Sequence, residues 1–476
     1  MKPTKLSVLL AGVAETALGE IVVSDIVTDS RKAGPGNVFV AIIGERMDGN
    51  DYAMSALENG AAAAIVSRAM DDERCILVDD TRDSLCAMAG NYRAQYSPVV
   101  AGVTGSVGKT TTKEMLAAIF ARFGNMLKNE GNRNNEIGLP ETVLRMDENT
   151  ELAVFEMGMS DLGEISRLSR CAQPQAGIIT CVGVSHIESL GSRENIRKAK
   201  LEILDGMPQD GLLALNGDDE MLMAVYDSIP GRKVLFGIEN PDCDVTAQDI
   251  RCKGFPSEFT IVDKQCGNFR AVIPCSGIHS VMDALSAYAL ATRLGYDPAI
   301  CAAALADYEP AGMRQRFRKV KDITMIEDCY NANPDSMAAS LQTLADLPCE
   351  GLRIAVLGDM LELGDISAAS HEKVGLLAAE LGIDVLLCCG EQMKLAVNAA
   401  AAAGMSCVEH FENKLDIADY LQKTAHLFQM MRIFTIVHFF VRKKYGKTFA
   451  AVVNRPSLVQ GQARAFFLDQ FSSGKA

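Results

Sequence analysis

The sequence predicts an α/β protein of three domains that are built mainly on parallel β-sheets. The chain has 476 residues, which is more than a single hydrophobic core normally holds. Short apolar runs alternate with helical patterns along most of it, as in parallel sheets that are covered by helices. Apolar residues make up 48% and charged residues 22% of the chain, proportions that are ordinary for a globular protein.

Charge and cysteine content argue against several classes of function. The net charge of −15 makes nonspecific binding to nucleic acid unexpected. The 14 cysteines are scattered with no C-x-x-C pair, which indicates reduced thiols and a cytoplasmic location rather than a disulfide framework. No run reaches the roughly 18 apolar residues needed to cross a bilayer, so we expect no membrane span.

The first domain is predicted over residues 1–97. At its start, two lysines and an apolar run faintly resemble a signal peptide, but the spacing of Leu6, Leu9 and Leu10 favours one face of a short helix. Three apolar runs between glycine-containing turns are typical of strands: 21–23, 38–42 and 62–66. A helical pattern at 83–96 leads to the next domain.

The second domain is predicted over residues 98–311 and opens with the most informative motif of the chain. After a strand-like apolar run and before a helical pattern, the sequence reads Gly105-Ser106-Val107-Gly108-Lys109-Thr110-Thr111. Backbone N–H groups of such a loop close around phosphate, and the helix N-terminus adds its positive dipole end. We predict that these seven residues bind ATP, with the Lys109 ammonium at the β- and γ-phosphates and the Thr110 hydroxyl on Mg²⁺. The alternative is an ordinary glycine turn before a helix.

Two further residues of this domain follow the ends of predicted strands. The strand-like runs lie at 152–155, 176–180 and 212–215. Glu156 follows the first run directly, and His186 comes after the second. Ligands of a parallel sheet bind beyond the carboxyl ends of its strands, so we expect both residues to converge on the phosphate loop. A carboxylate suits Mg²⁺, whereas histidine is a less usual ligand for it. A solvated glutamate and a structural imidazole are the alternatives.

The third domain is predicted over residues 312–476. Its buried strands are expected at 354–359 and 385–387. From His426 onward eight Lys and Arg residues accompany only one acidic residue, and the apolar run 430–441 has neither helical nor strand periodicity. We interpret this change as a shifted reading frame or a foreign terminus after about Ala425. The domain would then lack its final strand and helix, a hypothesis that resequencing the gene would test.

Four motifs carry a resemblance to the Mur ligase family. They are Thr28-Asp29-Ser30-Arg31, Asn132-Arg133-Asn134-Asn135-Glu136-Ile137-Gly138-Leu139-Pro140, Asp328-Cys329-Tyr330-Asn331-Ala332-Asn333-Pro334-Asp335-Ser336-Met337 and Leu357-Gly358-Asp359-Met360-Leu361-Glu362-Leu363-Gly364. The phosphate loop has Val103 where the longer Walker pattern has a glycine, and this shorter form is the one that Mur ligases use. The resemblance runs from about residue 20 to about residue 425, and the motif from Asp328 is specific for the member that adds D-alanyl-D-alanine.

The resemblance implies both a domain plan and a reaction. The plan is a small UDP-binding domain, a central phosphate-loop ATPase domain and a C-terminal Rossmann-like ligase domain. The reaction is the ATP-dependent, ADP-forming addition of D-Ala-D-Ala to UDP-MurNAc-tripeptide through an acyl phosphate, in peptidoglycan precursor synthesis. ATP and Mg²⁺ are the implied cofactors, and a cytoplasmic monomer is the implied state.

The resemblance also assigns individual residues. Lys200 matches a lysine that several Mur ligases carbamylate to bind a second Mg²⁺, although a surface lysine on an amphipathic helix is the alternative. Arg316 matches an arginine that faces the nucleotide and, with Lys109, Lys200 and His186, completes the expected catalytic set. Asp328 would contact the ATP ribose, and Tyr330 and Asn331 would lie near the adenosine. The UDP substrate would be held by Ser30, Arg31, Asn134 and Asn135.

Three departures from the family pattern leave alternatives open. Asp283 stands where the family often has an asparagine near the adenine, and an ionised aspartate cannot donate a hydrogen bond. Asn50 replaces a family histidine, and the tail lacks the Lys-Gly-Ser-Arg-like segment expected after the last strands. The alternatives are therefore a nucleotide-binding homologue that the tail impairs, or a sister amide ligase of the folylpolyglutamate synthetase type.

Overall fold

Four β-sheets organise the chain in a computed structural model that describes residues 1–320, 323–349, 351–417, 419–421 and 433–438. They contain two, four, nine and six strands. The two smaller sheets form the first domain, the nine-stranded sheet forms the second and the six-stranded sheet forms the third. Helices connect most of the strands, so the predicted three-domain α/β fold is confirmed.

The first domain has a parallel sheet in the order β3-β4-β5-β6, with a short antiparallel pair β1-β2 beside it. Its elements are β1 (Thr4–Lys5), α1 (Leu6–Leu9), β2 (Val22–Val23), β3 (Asp25–Val27), β4 (Asn37–Val40), α2 (Ala53–Glu58), β5 (Ala63–Val66), β6 (Cys75–Leu77) and α3 (Thr81–Arg93). The Asp80 carboxylate accepts hydrogen bonds from the backbone N–H groups of Arg82 and Asp83 and so starts α3. The predicted N-terminal helix is confirmed, and Leu6, Leu9 and Leu10 are buried.

The second domain places the phosphate-loop strand near the middle of its sheet. Its elements are β7 (Val99–Thr104), α4 (Lys109–Phe120), β8 (Met126–Lys128), α5 (Gly138–Val143), β9 (Leu152–Glu156), α6 (Glu164–Ala172), β10 (Ala176–Ile179), α7 (Ile187–Leu190), α8 (Arg193–Leu201), β11 (Leu212–Asn216), α9 (Glu220–Met223), β12 (Arg232–Phe236), β13 (Val245–Arg251), β14 (Ser257–Asp263), β15 (Gly267–Ile273), α10 (Ile278–Arg293) and α11 (Pro298–Ala304). The order is β15-β14-β13-β12-β11-β10-β7-β9-β8. One face packs on α4 and α10, and the other packs on α6 and on α3 of the first domain.

The strands β13, β14 and β15 depart from the predicted parallel pattern, because they pair antiparallel to one another. Only five residues connect β13 to β14, and three connect β14 to β15. A parallel crossover needs a dozen residues or more, so these short connections impose antiparallel pairing.

The third domain is a parallel sheet with one antiparallel edge strand, in the order β16-β17-β21-β18-β19-β20. Its elements are β16 (Arg316–Val320), β17 (Ile323–Glu327), α12 (Pro334–Asp346), β18 (Arg353–Gly358), α13 (Ser367–Glu380), β19 (Val385–Cys389), α14 (Met393–Ala402), β20 (Val408–Phe411) and β21 (Ile433–His438). Short 3₁₀ helices elsewhere in the chain span Ser30–Lys32, Gly49–Tyr52, Glu202–Gly206, Tyr226–Ser228, Leu305–Asp307 and Gly364–Ile366.

The tail supplies a strand that the sequence did not predict. β21 pairs in parallel with both β17 and β18, so it lies inside the sheet. The expectation that the domain lacks its final strand is therefore wrong. The sequence of β21, Ile-Phe-Thr-Ile-Val-His, is rich in the β-branched and aromatic residues that suit a buried parallel strand. The expected loss of the final helix and the rest of the tail after His438 lie outside the described residues.

Candidate functional site

The phosphate loop forms the predicted strand–loop–helix unit, in which two glycines allow close packing. Gly105 has φ +150° and Gly108 has φ +82°. A Cβ at Gly105 would lie 1.8 Å from the Thr180 hydroxyl oxygen, and a Cβ at Gly108 would lie 2.3 Å from Oδ1 of Asp283. The neighbouring strand and α10 therefore leave room only for glycine at these two positions.

The Lys109 side chain folds back over this loop. Its Nζ donates hydrogen bonds to the carbonyl oxygens of Gly105 at 2.7 Å and Ser106 at 3.2 Å. Burial lowers the pKa of Lys109, Glu156 opposes that effect, and Arg314 adds to it. The only positive charge that the loop itself carries is thus held directly against the backbone expected to surround phosphate.

Thr110 and Glu156 meet at the start of α4. The Thr110 hydroxyl donates to Oε2 of Glu156 at 2.8 Å, and the Asn134 amide donates to Oε1 of Glu156 at 2.8 Å. Asn129 holds the same residue from behind, because it bonds both the N–H and the C=O of Glu156 at 2.9 Å. Glu156 is only 1% exposed, so the alternative of a solvated glutamate is wrong. A hydroxyl and a carboxylate side by side are donors that fit Mg²⁺.

This contact follows from strand register. β9 pairs with β7 in parallel, with Val103 opposite Glu156, so the strand that ends in Glu156 runs beside the strand that ends in the phosphate loop. We expect Asn134 to hold the UDP substrate. In the structure its side-chain amide donates to the carboxylate of Glu156, next to the phosphate loop. The oxygen of Asn135 accepts from the N–H of Gly138, the first residue of α5.

Lys200 lies on α8 and is only 2% exposed, which makes the alternative of a surface lysine wrong. Burial, with the positive charge of Lys109 as a second cause, lowers the pKa of Lys200 to about 7. The influence of Lys109 places both lysines in one region. Near neutral pH a lysine with this pKa exists in part as the neutral amine that reacts with CO₂.

His186 precedes α7 in a left-handed conformation with φ 65°. Its loop contacts the phosphate loop through a hydrogen bond from the N–H of Gly183 to the Ser106 hydroxyl at 2.9 Å. On its other side, Nδ1 of His186 lies 2.8 Å from Oε2 of Glu362 in the third domain. The structure thus brings the His186 loop to the phosphate loop, as the strand ends predicted.

Arg314 of the third domain lies near the phosphate loop. The guanidinium carbon of Arg314 lies 4.4 Å from the centre of the Tyr330 ring, and its charge also influences Lys109 and Asp283. Arg316 begins β16, where it pairs with Glu327 across the strands. The sequence analysis assigned no role to Arg314, although it lies only two residues before Arg316.

The other residues expected around the adenosine lie at the start of the third domain. Oδ2 of Asp328 accepts from the Ser340 hydroxyl at 2.5 Å, and Tyr330 is 38% exposed. Asn331 is exposed. Asp328 also raises the pKa of His279, against the larger lowering effect of burial. These contacts place Asp328 beside the N-terminal end of α10, the element that covers the phosphate loop.

Asp283 is buried against the phosphate-loop helix. Its Oδ1 accepts from the Thr112 hydroxyl at 3.2 Å, and burial raises the pKa of Asp283 to about 8. At neutral pH this carboxyl group is therefore mostly protonated and carries a hydrogen that it can donate.

The residues expected to hold the UDP substrate in the first domain lie in a tight turn. The Asp29 carboxylate accepts from the Arg31 backbone and pairs with the Arg31 guanidinium at 2.8 and 2.9 Å. Hydrogen bonding from the Arg31 side chain lowers the pKa of Asp29 to about 2. Ser30 opens the 3₁₀ turn that carries Arg31. Asn50, in contrast, is only 2% exposed and bonds to Asp48 and Ser67 within the domain.

Two kinds of feature are absent from the described residues. No helix among them is long and apolar enough for a transmembrane segment. In the same part of the chain, no group of three or more His, Cys, Asp and Glu side chains is arranged to hold a metal ion by itself. A metal at Thr110 and Glu156 would therefore need oxygen ligands from phosphate and water, as Mg²⁺ commonly does.

Comparison with known families matches three consecutive parts of the chain. The Mur ligase family catalytic domain matches residues 22–123, the Mur ligase middle domain matches residues 103–291 and the Mur ligase glutamate ligase domain matches residues 313–427. The last match ends where the composition of the tail changes.

Comparison with individual proteins gives relatives over most of the length. A UDP-N-acetylmuramoyl-tripeptide–D-alanyl-D-alanine ligase of Bacillus subtilis (strain 168) is 39% identical, covering 85% of this chain and 86% of the relative. The crystal structure of MurF from Acinetobacter baumannii has a TM-score of 0.84 at 29% identity, covering 92% of this chain and 96% of that one. MurF ligase from Thermotoga maritima in complex with ADP has a TM-score of 0.78 at 26% identity, covering 87% and 94%.

Proposed function

Because the chain belongs to the Mur ligase family, we propose that it joins D-Ala-D-Ala to UDP-MurNAc-tripeptide in peptidoglycan precursor synthesis. It is an ATP-dependent ligase that forms ADP and inorganic phosphate. The observation that carries the proposal is the phosphate loop whose Thr110 hydroxyl meets the Glu156 carboxylate at 2.8 Å. This pair supports a nucleotide and metal site at the centre of the second domain.

The reaction has two steps, and the first brings two anions together. A terminal carboxylate oxygen of the tripeptide attacks the γ-phosphorus of ATP, the bond from that phosphorus to the bridging oxygen breaks, and ADP leaves. The amine of D-Ala-D-Ala then attacks the acyl carbon of the acyl phosphate, loses a proton and displaces inorganic phosphate. Lys109, held over the loop that binds the triphosphate, reduces the repulsion between the two anions.

Thr110, Glu156 and His186 would hold Mg²⁺, and carbamylated Lys200 would give a second Mg²⁺ an anionic ligand. Bound Mg²⁺ would neutralise charge between carboxylate and triphosphate. Burial and the charge of Lys109 lower the pKa of Lys200 to about 7, so its neutral amine is available to react with CO₂ and would become an anionic oxygen donor. Asn134 and Asn129 hold Glu156 in place for this role.

The third domain completes the ATP site by closing over the second. Arg316 faces the nucleotide, Asp328 contacts the ribose, and Tyr330 and Asn331 lie near the adenosine. Arg314, which lies close to Lys109, joins this set. Closure excludes the water that would otherwise hydrolyse the acyl phosphate.

The remaining assignments concern the UDP substrate and the state of the protein. Ser30, Arg31, Asn134 and Asn135 hold the UDP-MurNAc part. The domains divide at 1–97 for this substrate, 98–311 for ATP and 312–476 for ligation. The protein works as a cytoplasmic monomer, and the net charge of −15 argues against nucleic acid as a partner.

Phosphate release tests this function. We expect release of inorganic phosphate that requires ATP, Mg²⁺, D-Ala-D-Ala and a UDP-tripeptide together, and comparison of tripeptides that end in diaminopimelate or lysine identifies the natural one. ATP binding without turnover on either tripeptide would contradict the proposal and favour the impaired nucleotide-binding homologue. Turnover with a folate and glutamate would instead indicate the sister ligase.

A further inference from the structure

The loop Gly183–Glu188 of the second domain is held by two segments of the third domain. The first segment is at the start of α12. The amide of Asn333 donates to the Ser185 hydroxyl at 2.8 Å, and both residues are nearly buried, at 7% and 8% exposure. The backbone N–H of Val184 donates to the Asp335 carboxylate. These bonds cross between domains, so they require the third domain to lie against the second as it does in the structure.

The second segment is the turn at Glu362, which meets His186. Both residues are non-glycine residues in the left-handed region, with φ 62° for Glu362 and 65° for His186. Such backbone is disfavoured for these side chains and persists where surrounding contacts hold it. Their side chains face each other, with Nδ1 of His186 at 2.8 Å from Oε2 of Glu362, and the N–H of Glu188 donates to the carbonyl oxygen of Glu362 at 3.3 Å. Two turns with left-handed backbone, one from each domain, thus meet at the His186 side chain.

The exposure of the two side chains limits how much this ion pair contributes to stability. The side chain of Glu362 is 52% exposed and that of His186 is 24% exposed. A pair this accessible contributes little to stability, since water screens it. Nδ1 of His186 has no hydrogen-bond partner among the described residues, so Glu362 meets it as a close ionic contact, and a carboxylate this near one ring nitrogen favours the ring orientation in which the other nitrogen faces away from it.

We propose that Glu362 is a positioning residue, which orients the His186 imidazole for the nucleotide–metal site only when the third domain is closed. Glu362 approaches Nδ1, so Nε2 is the ring nitrogen left for the metal. The loop that carries His186 touches the phosphate loop through Gly183 and Ser106, so closure and metal binding act on one element. The inference rests on the proposed function in one respect, namely the role of His186 as a ligand.

The test measures binding of Mn²⁺, a probe for the Mg²⁺ site, to the full-length protein in the presence of ADP, by electron paramagnetic resonance. For Glu362→Gln we expect the Mn²⁺ affinity to fall about tenfold, as is typical when a carboxylate that orients a metal-binding histidine is lost. The matched control is Asp365→Asn, which removes the same charge from an exposed position three residues away and should leave the affinity unchanged.

A double-mutant cycle separates orientation of His186 from a general effect of charge. In a His186→Ala background, Glu362→Gln should cause no further loss of Mn²⁺ affinity, because the group that it orients is gone. An equal loss in both backgrounds, or an equal loss in Asp365→Asn, would overturn the inference. Thermal unfolding checks that every variant is folded.

A steric variant tests the dependence on closure. A Cβ at Gly183 would lie 2.2 Å from Oδ2 of Asp335 in the third domain, while the backbone at Gly183 is not in the left-handed region. Gly183→Ala should therefore displace the Asp335 carboxylate from the His186 loop and lower the Mn²⁺ affinity, and small-angle X-ray scattering reports whether the domains also move apart. Unchanged affinity together with open domains in small-angle X-ray scattering would refute the link to closure. Binding of Mn²⁺ needs no turnover, so a response to Glu362 with no phosphate release would reject the proposed function and keep this inference.

Discussion

Lys200 gives the most specific prediction, because its environment greatly increases the fraction of its side chain that is the reactive neutral amine. The pKa of Lys200 falls from 10.5 to about 7, first through burial and second through the charge of Lys109. At pH 7 the neutral fraction therefore rises from about 0.03% to about half, an increase of roughly 1,500-fold in the reactive amine. Only the neutral amine attacks CO₂, and the proton that it loses goes to solvent.

The perturbation is Lys200→Ala, and the first assay is ¹³C nuclear magnetic resonance of protein equilibrated with ¹³C-bicarbonate. We expect a carbamate signal in the unmodified protein that grows as the pH rises through about 7, and its loss in the variant. Phosphate release should fall about 100-fold or more in the variant, and short-chain carboxylates should partly restore it by supplying the missing oxygen donor.

Lys198→Ala is the matched control, because Lys198 lies on the same helix two residues earlier and is exposed. It should keep both the carbamate signal and the activity. Near-normal phosphate release by Lys200→Ala would refute the role of this lysine. Carbamylation would be contradicted if the unmodified protein gives no carbamate signal and carboxylates do not rescue the inactive Lys200→Ala variant. The buried lysine would then have a structural role only.

Three further predictions follow from single side chains. The pKa of Asp283 is raised from 3.8 to about 8, so the folded state binds more protons than the unfolded state between these values and loses stability as the pH rises. Asp283→Asn should remove that loss, for which about 4 kcal/mol is an upper limit between pH 5 and pH 8, and unfolding free energies from urea titrations at these two pH values would measure it. An unchanged pH dependence would contradict the assigned pKa. Lys109→Ala should abolish phosphate release while the circular dichroism spectrum stays the same, and a near-normal kcat would reject the role of Lys109. Phe120→Ala should cost about 3–5 kcal/mol in urea unfolding because Phe120 is fully buried, whereas the exposed Ile300→Ala should cost less than about 0.5 kcal/mol.

The phosphate loop and the position of Glu156 could be predicted from sequence because both depend on local pattern and sheet rules. An apolar run, two glycines and a helical pattern define the turn, and parallel strands place their carboxyl ends on one edge. The register that sets Val103 opposite Glu156 is a consequence of that arrangement. For the same reason, His186 was expected near the loop before its contacts were known.

Other parts of the site could not be predicted, because they depend on contacts between distant residues. Asn134 reaches Glu156 across 22 residues, and Asp283 reaches Thr112 across 171. The placement of Arg314 beside Lys109 depends on how the third domain sits on the second. β21 lies between β17 and β18 in the third sheet although its run has no periodicity, and interior parallel strands commonly have continuous apolar sequences rather than alternating ones.

The sequence by itself determined the three-domain α/β fold, the phosphate loop and the motifs of a ligase family, because local periodicity and short motifs encode them. Tertiary structure alone decided the chemistry of the buried groups. Burial is the main cause of the shifted pKa values of Lys200 and Asp283, and the charge of Lys109 adds to the shift of Lys200. The contact between His186 and Glu362 likewise exists only where two domains meet, since residues far apart in sequence can be brought together only by the folded chain.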